Sequence, residues 1–182
     1  MRIKKITSIA LTVVLKFILL LPISASAQQP CSQPNTNFLK QLEGDWLVAS
    51  QDRIAPGDYE KNTGVSTIRV LFANCGIEED YTGTLKGAEL QFKTLHVWKD
   101  SVTVSKLWLD SNHANPMLLE GTFKSDSLNV MWQRELKTRT LSVKHLIKDV
   151  TKTGFVSESY MRPRAGAAWQ LTHRRVYTRK SD

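Results

Sequence analysis

From about residue 43 to the C-terminus, apolar and polar residues alternate with a period of two. Trp169, Leu171, His173, Arg175, Tyr177 and Arg179 fall on one side; Gln170, Thr172, Arg174, Val176 and Thr178 fall on the other. Leu128, Val130, Trp132 and Arg134 form a second such set, and Leu141, Val143, His145 and Ile147 a third. This is the periodicity of a strand, whose successive side chains point to opposite faces. The pattern predicts strands near 43–51, 64–73, 76–83, 88–98, 101–110, 116–124, 127–136, 139–149, 154–162 and 168–179. Turn-forming clusters separate them, among them Lys99-Asp100, Ser125-Asp126 and Lys152-Thr153-Gly154. Only Asn37 to Gln41 reads as helical, one turn capped by Thr36 or Asn37. The expected fold is all-β: a single antiparallel up-and-down barrel of about ten strands, with a short N-terminal helical turn. A meander of that length closes because closure removes exposed edges. The three alternating sets are expected to face the interior, which is then mostly apolar with a few polar groups.

The first 27 residues follow a different pattern. A basic start, Met1-Arg2-Ile3-Lys4-Lys5, leads into an apolar run from Ile6 to Ile23, and Ala25-Ser26-Ala27 follows. Positive, apolar and small-residue regions in that order predict a secretory signal peptide over 1–27. An uncleaved anchor is the alternative, but Lys16 interrupts the run and Pro22 ends it. Cys31 follows Gln28-Gln29-Pro30, which is not a lipoprotein context. The expected organisation is a signal peptide, an arm over 28–36 and a barrel over 37–180. The expected location is periplasmic or secreted, with no membrane span after cleavage.

That reading changes the charge balance. The full chain carries +8, but Arg2, Lys4, Lys5 and Lys16 would leave with the signal, so 21 bases would face 17 acids. Such an excess calls for no nucleic-acid partner. In an oxidising compartment the only two cysteines, Cys31 and Cys75, are expected to pair as a disulfide. Two unrelated thiols are the alternative. The bond would close a 45-residue loop, worth roughly 4 kcal/mol by chain entropy. No CxxC or HExxH spacing is present, so no metal site is expected.

Several segments then carry a likeness. Leu42-Glu43-Gly44-Asp45-Trp46 resembles the Gly-x-Trp opening of a lipocalin-type barrel, in which the Trp plugs one end. Ile68 to Glu79 resembles a strand, a Cys-containing bend and an acidic strand. Trp108-Leu109-Asp110-Ser111, a later Glu120-Gly121, and Trp169 and Tyr177 followed by Arg179 complete the order. Over residues 31–180 the chain resembles the exported bacterial family catalogued as "domain of unknown function 1579", among the lipocalin-like, or calycin, barrels. The approach to the first strand is thinner than in that family, with only Phe38, and His173 stands where an aromatic is common. The resemblance implies a fold and a compartment, and no catalytic residue.

The candidate chemistry is sparse. Of His96, His113, His145 and His173, only His145 and His173 fall on the expected interior faces, where each is a haem or metal candidate or an internally satisfied histidine. Glu78, Glu79 and Asp80 read as a solvated acidic strand, since Glu78 and Glu79 point to opposite faces. Ser157 and Ser159 lack a nucleophile elbow. Arg162, Arg164, Arg174, Arg175, Arg179 and Lys180 form a basic C-terminal edge, either solvated or attracted to anionic surfaces. Trp108 and Trp132, with polar neighbours, are the best ligand-facing aromatics, and Arg134, His145 and His173 complete the candidate set. Three readings follow: a barrel binding a small apolar or amphipathic ligand, a haem-binding or enzymatic barrel acting through an interior His, and a packed structural barrel. No catalytic set and no cofactor are assigned. Closure also predicts that an Arg of the last strand stacks on Trp46, Arg175 in preference to Arg179.

Overall fold

The computed structural model describes residues 36–181, apart from 73, 112, 125–126 and 137–138; the side chains of 36, 113–114, 124, 132–136 and 139 are not described. The segment 1–27, the arm that follows it and Cys31 lie outside the described residues, as do the side chains of Trp132 and Arg134.

Among the described residues, one helix, α1 (Thr36–Leu42), precedes ten strands. These are β1 (Gly44–Ala55), β2 (Asp58–Leu71), β3 (Gly76–Leu85), β4 (Ala88–Trp98), β5 (Thr103–Asp110), β6 (His113–Lys124), β7 (Ser127–Leu136), β8 (Arg139–Lys148), β9 (Gly154–Arg162) and β10 (Gln170–Arg179). Each pairs antiparallel with its sequence neighbour, and β1 pairs with β10, so the sheet closes into a barrel. The alternating pattern locates eight strands closely. It misses the far half of the first hairpin, where β1 runs on to Ala55 and β2 begins at Asp58. That stretch has no alternating apolar stripe, and Gly57, at φ 82°, makes the tight turn that the strands need.

Alternation sorts the barrel into layers. At the α1 end lies an apolar floor of Trp46, Ile68, Ile77, Trp98, Val104, Phe123, Leu128, Ile147 and Phe155, with Phe38, Leu39 and Leu42 of α1 packed among them. Phe38 meets the Phe123 ring at 4.8 Å, and Trp46 meets Phe155 edge-on at 5.0 Å. The Trp46 indole N–H donates to the Leu42 carbonyl at 3.0 Å, tying the helix to the first strand. Burying such side chains is worth roughly 1.5–3 kcal/mol each.

Two sequence expectations change here. The guanidinium over Trp46 belongs to Arg179, at 4.3 Å, and not to Arg175. Arg179 lies opposite Trp46 in the β1–β10 ladder, whereas Arg175 lies opposite Ser50, four residues deeper. The second change is a register shift between Leu171 and His173, which puts Leu171 opposite Tyr160. Trp169 and Leu171 therefore leave the face shared by His173, Arg175 and Tyr177. Trp169 packs instead against Lys144 at 4.9 Å and Arg162 at 4.7 Å.

Candidate functional site

Above the floor, the same inward alternation brings polar side chains to the barrel centre. Ser50 and Asp52 come from β1, Ser66 from β2, Glu79 from β3, and Thr94 and His96 from β4. Lys106 comes from β5, His145 from β8, Ser157 from β9 and Arg175 from β10. All are buried, with Lys106 at 0% and His96 at 1% exposure. Buried charge is costly unless compensated, so the partners matter.

Three small networks cross this belt. Glu79 accepts from Ser66 Oγ at 2.9 Å and from the Tyr177 hydroxyl at 2.7 Å. Burial and the neighbouring Glu79 carboxylate push the Tyr177 hydroxyl well above its ordinary pKa, so it stays a donor. Asp52 accepts from Ser50 Oγ at 2.7 Å and lies 2.7 Å from His173 Nδ1, with Arg175 at 3.7 Å. Burial works against the Asp52 carboxylate, but the hydrogen bonds from His173 and Ser50 and the Arg175 charge outweigh it, and the pKa is lowered. In the third network Lys106 Nζ lies 2.8 Å from His145 Nδ1, and His145 Nε2 lies 2.7 Å from Ser157 Oγ. Burial drives the Lys106 pKa down to about 7. Burial and the Lys106 charge hold His145 and His96 well below the ordinary histidine value.

An aromatic wall continues from the belt away from the floor. Tyr81 stacks on Phe92 at 4.5 Å, and Phe92 on Trp108 at 4.6 Å. The Arg175 guanidinium covers Phe92 at 4.9 Å and Tyr81 at 5.2 Å. Trp108 donates its indole N–H to Asp110 at 2.8 Å and presents its ring to Lys106 Nζ at 4.7 Å. At this end Trp108, Met117 and Val143 point inward yet are only half-buried, and His173 is 34% exposed. Solvent therefore reaches the interior from the side opposite α1.

The structure gathers three of the five candidate residues. His145 sits in the belt, and Trp108 and His173 lie between the belt and the far end. Trp132 and Arg134 occupy β7 opposite Val143 and Leu141, and their side chains are not described. Sequence reasoning missed Asp52, Glu79, His96 and Lys106. The last three stand at alternate positions in Ile77–Glu79–Tyr81, Thr94–His96–Trp98 and Val104–Lys106–Trp108, so a stricter reading of the period would have found them. Glu79 is accordingly no part of a solvated acidic strand; only Glu78 and Asp80 point outward, both to Lys93. The basic C-terminal edge also disperses: Arg175 turns inward, Arg179 caps the floor and Arg174 lies 3.4 Å from Glu158.

Several belt atoms lack partners. Among the described residues, Thr94 Oγ1, both ring nitrogens of His96 and Arg175 Nε are buried without a hydrogen bond. Such orphans are rare in a finished interior. No group of three or more potential metal ligands occurs among the described residues, and no helix there is long and apolar enough to cross a membrane.

One solved structure shares the fold. The S-type phycobiliprotein lyase CPES from Guillardia theta superposes with a TM-score of 0.53 at 12% identity, covering 80% of this chain and 92% of that one. A redesigned β-barrel, b11L5F_LGL, and the barrel EF1p2_mFAP2b bound to DFHBI give 0.46 and 0.48, each at 12% identity. They cover 83% and 80% of this chain, and 97% and 98% of theirs. No curated protein matches the sequence. Residues 32–179 match the family described as "Protein of unknown function (DUF1579)", and the chain belongs to that family.

Proposed function

We propose that this barrel binds one small amphipathic ligand, with the ligand's polar group at the central belt and its apolar part along the Tyr81–Phe92–Trp108 wall. The observation that carries this reading is the set of buried, unpartnered polar atoms on Thr94, His96 and Arg175 beside an interior that solvent reaches from one end. A barrel packed only for stability would fill this layer with apolar side chains, because an unsatisfied buried polar group costs about 1–3 kcal/mol. A ligand's hydroxyl, carbonyl or carboxyl oxygen would satisfy these donors and acceptors at once. The apolar floor sealed by α1 closes the other end, so the ligand enters polar group first. The signal-like N-terminus suits a role outside the cytoplasm.

A haem held by His145 fits less well, since both of its ring nitrogens are engaged, by Lys106 and Ser157. Native mass spectrometry of the purified protein tests the binding reading. A one-to-one adduct that dissociates on gentle activation is the expected result, and bare protein after incubation with medium-chain alcohols would oppose it.

A further inference from the structure

Lys106 is the least expected member of the belt. It is wholly buried, and among the described residues no carboxylate lies within ion-pair distance of its Nζ. Its hydrogen-bond partner is a neutral histidine nitrogen, His145 Nδ1 at 2.8 Å. Glu79 is near enough to favour the charged form but is itself taken up by Ser66 and Tyr177, and Arg175 opposes it. If the amine donates one N–H to His145 Nδ1, the His145 Nε2–H donates to Ser157, and the lone pair on Nζ stays free. The group beside Lys106 across the β4–β5 ladder is His96, with both ring nitrogens unpartnered. One rung further out, Thr94 Oγ1 is also unpartnered, opposite the half-buried Trp108 on the solvent-reached side.

We propose that Lys106 forms a reversible imine with an amphipathic aldehyde carried in the barrel. This rests on the ligand-binding reading and narrows its ligand class to carbonyl compounds. The Nζ lone pair forms a bond to the carbonyl carbon as the C=O π pair moves to oxygen, and an amine proton passes to that oxygen. The resulting carbinolamine loses its oxygen as water, which carries away the second amine proton, and C=N remains. Aldehyde and amine give imine and water, with no redox change. His96 and Thr94 offer hydrogen bonds to the oxygen before it leaves. An amine whose pKa has been driven to about 7 supplies free base at neutral pH, whereas an exposed lysine is almost wholly protonated there.

The test is reductive trapping. Purified protein is incubated at neutral pH with decanal and sodium cyanoborohydride, then weighed intact and mapped by peptide. The proposal expects one decyl group per chain, on Lys106 in at least about tenfold preference over any exposed lysine. Lys106→Met is expected to lose this adduct, while Lys93→Met, at a surface ion pair, keeps it. Circular dichroism checks that Lys106→Met folds; if it does not, the wild-type peptide map decides alone. Displacement of a bound naphthalene dye by decanol is measured in parallel. Decanol binding with decyl groups scattered over surface lysines would overturn the imine and leave the binding reading standing. Neither decanol binding nor a Lys106 adduct would overturn both.

Discussion

Arg179 and Trp46 face each other across the ladder that closes the barrel, with the guanidinium carbon 4.3 Å above the indole centroid. The same guanidinium donates to the Glu43 and Gln41 carbonyls at 2.8 Å each, and its Nε donates to the Lys152 carbonyl at 2.6 Å. Arg179 thus joins the end of α1, the start of β1 and the turn before β9. A Cβ at Gly44 would run into Arg179 Nη1, and Gly44 has φ 136°. The glycine of the Gly-x-Trp opening therefore makes room for the arginine that covers its tryptophan.

A double-mutant cycle on Trp46→Phe and Arg179→Lys, read by urea melts, should give a coupling of about 1–2 kcal/mol. The same cycle with Arg175→Lys should give a coupling near zero, because Arg175 covers Phe92 and Tyr81 instead. Equal couplings for both arginines would contradict the geometry.

The buried amine sets a pH dependence of stability. Lys106 titrates at about 7 in the fold and near 10.5 when unfolded. Between these values the unfolded chain binds the extra proton, so stability rises with pH. From pH 7 to about pH 9 the gain should approach ~2 kcal/mol, short of the range where tyrosines ionise. Lys106→Met should flatten that rise. Chemical denaturation at several pH values measures it, and a wild-type curve already flat over this range would refute the assignment.

Tyr177→Phe removes one of the two donors to Glu79 while keeping the ring stacked on Phe155 at 4.0 Å. The expected loss is about 1–3 kcal/mol, since a buried carboxylate is left short of a hydrogen bond. Adding Glu79→Gln to the same chain should cost much less than the two single losses combined, because both changes strike one network. Additive losses would show that the pair is not coupled.

The expected Cys31–Cys75 bond has its own check. Unfolded, unreduced protein should show no titratable thiol. Reduction should then lower stability by roughly 4 kcal/mol, for a 45-residue loop. Two free thiols would show that the cysteines are unpaired.

Much of the barrel was legible because period-two alternation is a local signal, and each strand carries its own. The first hairpin's far half was not, since Asp52 to Asn62 holds only scattered apolar residues (Ile54, Ala55 and Tyr59) and shows no alternating stripe. The bulge between Leu171 and His173 was equally hidden, because one extra residue shifts the register without altering the composition. The site was half legible. Alternation places His145 and His173 inside, but a charged residue in an alternating strand reads as solvent-facing, so Lys106 and Glu79 do not stand out as interior. Their burial depends on partners from strands far along the chain, such as Tyr177, which lies 98 residues from Glu79. Alternation places Arg175 inside but does not give its aromatic partner, because the pairing register of β1 with β10 is not written in either strand alone.

The most direct test of the central claim is a binding titration with a dye that fluoresces in apolar surroundings, such as an anilinonaphthalene sulfonate. Saturation at one dye per barrel and full displacement by decanol are expected. Binding should weaken when Trp108→Ala shortens the aromatic wall. Dye binding that never saturates, or that decanol and Trp108→Ala leave unchanged, would contradict a ligand site inside the barrel.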